Sequence, residues 1–353
     1  MTLKDTKYLT AYAVPICFLV GIYAGGYWSY LTILFAFGFI PLVEELLAEN
    51  KENYNEEELR ERKKSPFFDA LLYFNVLIIY GFVLLFLYEL DKGEWTSTEY
   101  WGQLISLGIV MGAGGINVAH ELGHRSNKKE QFMAKLLLLP SLYMHFIIEH
   151  NRGHHKNVAT RKDPATARFN ENFYQFWLRS VSHSYLHAWQ LDLQYKRSKG
   201  MKSHEFWKLD MFWFNVAQIL YLALAYFFFG WVGFLSVLIA GIISFSLLEL
   251  INYIEHYGME RKLKNNGQYE RVGLQHSWNS DKKLGRIVLY ELTRHSDHHF
   301  RASKKYQLLE SNEKSPNLPL GYPASMIMAL LPPLWFAIMN PRVPGSAKHE
   351  LAY

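Results

Sequence analysis

Fifteen histidines stand in a chain of 353 residues, and their grouping carries the chemistry. At that frequency a five-residue window holds about 0.2 histidines by chance. Two short stretches hold three each: Glu149-His150-Asn151-Arg152-Gly153-His154-His155 and His295-Ser296-Asp297-His298-His299. A pair stands in His120-Glu121-Leu122-Gly123-His124, and His256 lies within Asn252-Tyr253-Ile254-Glu255-His256-Tyr257-Gly258. Residues three and four apart share one face of a helix. His120 and His124 thus point together, as do His150, His154 and the neighbouring His155. His295, His298 and His299 form the i, i+3, i+4 version. Each cluster is expected to aim its rings at one point. Imidazole suits iron, copper, nickel and zinc. Nine such nitrogens exceed the capacity of one ion, so the pattern predicts two metals.

A carboxylate adjoins histidine in every cluster: Glu121, Glu149, Glu255 and Asp297. Two divalent ions held by neutral rings are costly near hydrocarbon. Acids that orient the rings and offset the charge are therefore expected here. Glu249 and Asn252 are further candidates, since both precede His256 on the same helix and Glu249 lies seven residues back, on its face. The sequence H-E-x-x-H at 120–124 also fits a zinc protease. Zinc needs one more ligand there, which leaves both triplets without a purpose. His183 and His187 are also i, i+4, but they lack a third partner and an adjacent acid. They read as surface or packing residues, as do His145, His204 and His349. His276, in His276-Ser277-Trp278-Asn279, stays open between a structural and a site role.

The elements that must position these rings are apolar. Hydrophobic residues make up 50% of the chain and aromatics 16%, which excludes disorder. A net charge of +5 without a basic cluster argues against a nucleic-acid partner. The single cysteine, Cys17, excludes an intramolecular disulfide framework and a cysteine-held zinc or iron–sulfur site. Mean hydropathy is only -0.07, because apolar and charged residues are segregated into blocks. A spanning helix needs ~20 apolar residues to cross ~30 Å of hydrocarbon. Six segments qualify, at roughly 8–26, 27–48, 67–90, 100–124, 211–229 and 231–256. The first resembles a signal peptide but reads as a retained anchor, because another span follows at once.

Basic loops set the orientation. Lys4 and Lys7, the 49–66 loop, Arg125 to Lys129 and Arg261 to Lys264 all fall on one side, read as the cytoplasm. The alternate turns at Gly25–Gly26, 91–99 and Gly230 are nearly bare. Residues 132–148 are apolar but short and broken by Pro140; residues 322–339 contain Pro332–Pro333. Both are expected to be buried or interfacial helices rather than spans. If so, all nine histidines reach the same membrane boundary. The predicted fold is all-α: a multi-pass membrane protein with about six transmembrane helices and a helical cytoplasmic catalytic cap at roughly 125–210 and 257–353. Residues 1–353 read as a single integral-membrane domain with both termini cytoplasmic.

With these residues in view, the chain resembles the integral-membrane alkane 1-monooxygenase family. The resemblance covers nearly the whole chain. It is densest in AHELGHR, FIIEHNRGHHKNVATRKDPATAR, NYIEHYG, HSWNS, RHSDHH and LPLGYPASMIMALLPPLW. Histidine boxes alone are shared with membrane desaturases; the NYIEHYG element and the EHNRGHHKNVAT…DPATAR run are more specific. Asp281-Lys282-Lys283, after HSWNS, is more charged than the usual pattern. The resemblance implies a non-haem diiron enzyme of a bacterial inner membrane, using O2 to hydroxylate the terminal methyl of n-alkanes. It implies His120, His124, His150, His154, His155, His256, His295, His298 and His299 as iron ligands. It also implies electrons from rubredoxin, reduced by an NAD(P)H-dependent rubredoxin reductase. A rubredoxin needs four cysteines, so the donor is expected to be a separate chain.

Neighbouring readings are a fatty-acyl desaturase or hydroxylase, a xylene-type methyl monooxygenase, and a metal-storage or transport protein. The last fits poorly with spans that mostly lack ionisable residues in mid-membrane. Substrate would arrive from the bilayer, since each CH2 favours hydrocarbon by ~0.8 kcal/mol. Ala36 and Gly38, among Phe35, Phe37 and Phe39, either leave room in a substrate channel or allow close helix packing. Arg125, Lys128, Lys129, Arg152, Lys156, Arg161 and Lys162 either dock an acidic donor or follow the charge rule alone.

Overall fold

The computed structural model describes residues 3–345, so His349 lies outside the described residues. Among the described residues there is no β-strand, only two isolated bridges. The helices divide into two compact units. One comprises Met1–Phe39, Ser65–Ile148 and Ala188–Leu248; the other comprises Ile40–Lys64, Glu149–His187 and Glu249–Tyr353.

Five helices are long and apolar enough to cross a membrane: Lys4–Ala24, Gly26–Leu46, Pro66–Asp91, Ser97–Gly123 and Asp210–His256. The last has 47 residues and breaks at Gly230, where φ is 63° and ψ is -163°. Gly25 has nearly the same angles, 65° and -169°. Both glycines adopt a conformation that a side chain would resist, and each turns one span into the next. The reversal at Gly230 is visible in what its arms touch. Gln218 accepts from the Met144 backbone N–H at 3.2 Å, and Ser244 meets Ser141 at 2.9 Å. Two residues almost equally far from Gly230 thus reach the same short turn. Six passes result, as the hydropathy blocks predict. Exposed Tyr27, Trp28 and Trp231 flank the two glycine turns, where aromatic side chains favour the membrane boundary.

Ser97–Gly123 is the most enclosed span, with 78% of its apolar window buried. Thr96 and Glu99 start it with a reciprocal capping box. Glu99 also accepts from the Gly26 backbone N–H at 2.6 Å, tying the first turn to this helix. The helix widens to π geometry over Met111–Ile116, directly before His120.

Residues 132–148 do not span. The helix Lys128–Leu138 has 11 residues, about 16 Å at ~1.5 Å per residue against ~30 Å of hydrocarbon. Tyr322–Ala329 and Pro332–Met339 have eight residues each and are shorter still. Both stretches thus consist of helices too short to span.

Candidate metal centre

The second unit gathers seven of the nine box histidines, and it sorts them in a way that spacing did not predict. His154, His256, His295 and His299 form one set, with their ligand nitrogens within 4.8 Å of one another. Nε2 of His295 lies 3.2 Å from that of His256 and 2.9 Å from that of His299. Nε2 of His154 lies 3.2 Å from that of His299. His150, His155 and His298 form another set. Here Nε2 of His155 lies 3.0 Å from that of His150 and 3.2 Å from that of His298.

This corrects the expectation that each sequence cluster closes on one point. Both triplets are divided between the sets. Backbone geometry accounts for the first division. His150–His154 is a π-helical turn, whose repeat brings residues five apart together. His155 therefore joins His150, and His154 is released to the other set. In the short helix His295–Phe300, His295 and His299 stand one turn apart and meet through their Nε2 atoms, while the His298 ring stacks beside that of His295 and turns its Nε2 to His155. His120 and His124 belong to the first unit, at the end of the enclosed span, with ring centroids 5.0 Å apart.

The nitrogen spacing fits a metal. Ligand atoms ~2.1 Å from a shared ion stand about 3.0–3.4 Å apart in octahedral or tetrahedral order. The observed separations cluster at that edge length. All four residues of the first set are buried. Burial, then neighbouring imidazoles, push His155 and His299 well below the usual histidine value. Neutral rings with free lone pairs are what coordination needs.

The acids near the boxes have distinct partners. Glu255 reaches the ligand nitrogens: one carboxylate oxygen lies 3.1 Å from His295 Nε2, and the other accepts from the Tyr322 hydroxyl at 2.7 Å. Glu121 pairs with Arg125 at 2.6 Å, and Glu149 accepts from His187 Nδ1 at 3.1 Å. Asn252 donates to Glu249 over a long 3.4 Å. Asp297 takes Lys304 at 2.7 Å and the Glu310 backbone N–H at 2.9 Å. His187 is thus a partner of a box acid rather than a plain surface residue. His276 bonds the Gly273 backbone and Glu270, a structural role.

Sequence reasoning missed Asp163. It lies nine residues beyond His154 in a loop, yet it accepts from His154 Nδ1 at 2.8 Å. Burial works against the charged form of both groups, but their attraction raises the ring and lowers the carboxyl. The search for acids adjacent in sequence could not find it; its place in the DPATAR run was the available signal. In the second span, Ala36 and Gly38 sit in a π-widened turn, Phe35–Phe39. A side chain at Gly38 would meet nothing within 4 Å, so close helix packing does not explain that glycine.

Fold and site together define a multi-pass membrane protein with buried histidine clusters that fit a metal site. A fatty acid desaturase family profile matches residues 98–322. The chain is 36% identical to alkane 1-monooxygenase 2 of Pseudomonas aeruginosa, over 90% of its length and 84% of the relative. It is 35% identical to alkane 1-monooxygenase 2 of Alcanivorax borkumensis, over 99% and 94%. The xylene/toluene monooxygenase hydroxylase component of Pseudomonas putida is 28% identical over 94% and 87%. The chain belongs to the alkane 1-monooxygenases, within the fatty acid desaturase family.

Proposed function

We propose that this protein hydroxylates the terminal methyl of n-alkanes to 1-alkanols, with two irons held by nine histidines. The observation that carries the reading is the set of converging, buried Nε2 atoms in a chain of this family. In the proposed set His154, His256, His295 and His299 hold one iron. His150, His155 and His298 contribute to the other. Iron is preferred among imidazole-binding metals because an alkane offers acid–base chemistry no handle, and C–H cleavage needs a redox centre. When bound, the metals supply two-electron activation of O2, with one oxygen entering the product and the other leaving as water.

The protein's own groups then have separate tasks. Imidazoles hold the metals without adding charge. Asp163 and Glu255 offset the positive charge that the buried site acquires. The spans admit an apolar chain from the bilayer and exclude water. The basic loops support a site on the cytoplasmic side, in the inner membrane of a bacterium on this reading. Electrons come from rubredoxin, a separate chain served by its NAD(P)H-dependent reductase, with basic residues such as Arg152, Lys156 and Arg161 as the docking candidates.

The test is aerobic turnover of n-alkanes by the iron-loaded, membrane-embedded protein with rubredoxin, its reductase and NADH under 18O2. The expected product is an 18O-labelled 1-alkanol, absent in His154→Ala and His298→Ala variants. An alkene or altered acyl chain from fatty-acyl substrates would move the protein to a desaturase reading. A second experiment probes the channel. Ala36→Trp is expected to shift the preferred alkane towards shorter chains, read as product yield across a chain-length series. An unchanged profile would remove Ala36 and Gly38 from the channel.

A further inference from the structure

We propose that Asp163 is a positioning residue for the metal held by His154, His256, His295 and His299. It fixes the tautomer and the angle at which the His154 ring presents Nε2. The inference rests on the metal reading above but not on the substrate.

The His154 ring has two nitrogens facing opposite ways. Nε2 points into the nitrogen cluster, 3.2 Å from His299 Nε2. Nδ1 points to Asp163 Oδ2 at 2.8 Å. A carboxylate only accepts, so the ring proton must sit on Nδ1 and the Nε2 lone pair is left for a metal. The opposite tautomer would turn an N–H into the site and remove one donor from the set.

The loop holds the carboxylate in place through its own hydrogen bonds. The Asp163 side chain has 0% exposure. Thr166 Oγ1 donates to Oδ2 at 2.5 Å, and the Ala165 backbone N–H donates to Oδ1 at 3.2 Å. Thr166 Oγ1 in turn accepts from the Ala159 backbone N–H at 2.9 Å. Ala159 has φ of 57°, a left-handed conformation rare outside glycine. Its carbonyl is tied by the Arg261 backbone N–H at 2.7 Å. Arg179 clamps the far side, donating to the Pro164 and Thr166 carbonyls at 3.0 Å each. The same guanidinium grips Glu171 with two bonds of 2.7 Å. A buried loop tied along its length and bent through a strained residue, with one carboxylate turned onto one ligand ring, is the arrangement expected of an outer partner that sets ligand geometry.

The test uses the full-length protein in nanodiscs, stripped and titrated with 57Fe(II) against a competing chelator, with Mössbauer spectra at each stage. Asparagine at 163 can offer its NH2 to Nδ1 and select the wrong tautomer. Asp163→Asn is therefore expected to weaken one of two iron sites by about 10–100-fold and to alter the quadrupole signal of that site alone. Asp163→Glu should recover part of the loss. Wild-type affinity and unchanged spectra in Asp163→Asn would overturn the proposal. Should that variant fail to fold, Thr166→Val decides: a smaller loss at the same site supports the proposal, and no change overturns it. A wild-type protein that takes up no iron would instead fail the metal reading itself.

Discussion

His256→Ala is expected to abolish hydroxylation, to below about 1% of wild type, and, on the proposed two-iron reading, to halve the iron bound per chain. His256 has 0% exposure and ends the last spanning helix. Its Nε2 faces His295 Nε2 at 3.2 Å, and its ring centroid lies 4.8 Å from that of His154. Structural zinc sites in small peptides contribute ~10–16 kcal/mol across four ligands, so one ligand carries roughly 3 kcal/mol. That is more than a hundredfold in affinity, since each ~1.4 kcal/mol is tenfold. Neighbours do not replace the lost donor, because His154, His295 and His299 are already committed to the set. Iron content and 1-alkanol yield, measured together, check the expectation. Added imidazole should restore part of both by occupying the space the ring leaves. Full iron occupancy with full activity would remove His256 from the ligands.

A second large effect is expected on stability rather than chemistry. Arg294, 1% exposed, stands directly before His295. It donates to the carbonyls of Leu309 at 2.7 Å and Glu52 at 3.0 Å. Its Nε lies 3.6 Å from Glu291 and 3.8 Å from Asp281, both buried. Arg286 shares the cluster, pairing with Glu291 at 3.0 Å and holding Asn50. Arg294→Ala leaves two buried carboxylates and several carbonyls short of a partner. Breaking a buried pair from one side costs about 3–5 kcal/mol. The melting temperature should fall by on the order of 5–10 °C, and iron retention should fall with it as the His295 helix loses its anchor. Arg294→Lys should rescue poorly, because one ammonium cannot serve donors placed for a planar fork. Thermal unfolding in detergent reads the result; an unchanged midpoint would show the cluster to be dispensable.

Asp281 gains its meaning from this cluster. The run Asp281-Lys282-Lys283 departs from the pattern of the resemblance and gives no role when read as sequence. In the fold, Asp281 accepts from Ser311 at 2.8 Å and stands beside Arg294, while Lys282 pairs with Glu45 at 3.1 Å. The charge belongs to the scaffold under the His295 helix.

Sequence by itself determined the elements whose signal is local. Apolar blocks of spanning length, broken at Gly25 and Gly230, gave six passes, because the bilayer thickness sets a length that composition must meet. Pro140 and the short apolar run gave a helix that stops at Leu138. Histidine density gave the candidate metal ligands, since chance does not group them so. Tertiary structure alone decided how those residues are shared. A π turn at His150–His154 divides the first triplet against the i, i+4 spacing, which assumes the α repeat; in the second, His295 and His299 stay together one α turn apart and His298 turns to His155. It also decided which acids matter. Adjacency in sequence proposed Glu255, which does reach His295, and also Glu121, Glu149 and Asp297, which pair with Arg125, His187 and Lys304. Asp163 reaches His154 because a loop folds back through Ala159 and is tied by Arg179 and Arg261. Hydrogen bonds to a ligand ring depend on angles fixed by distant backbone, and no local pattern of residues records those angles.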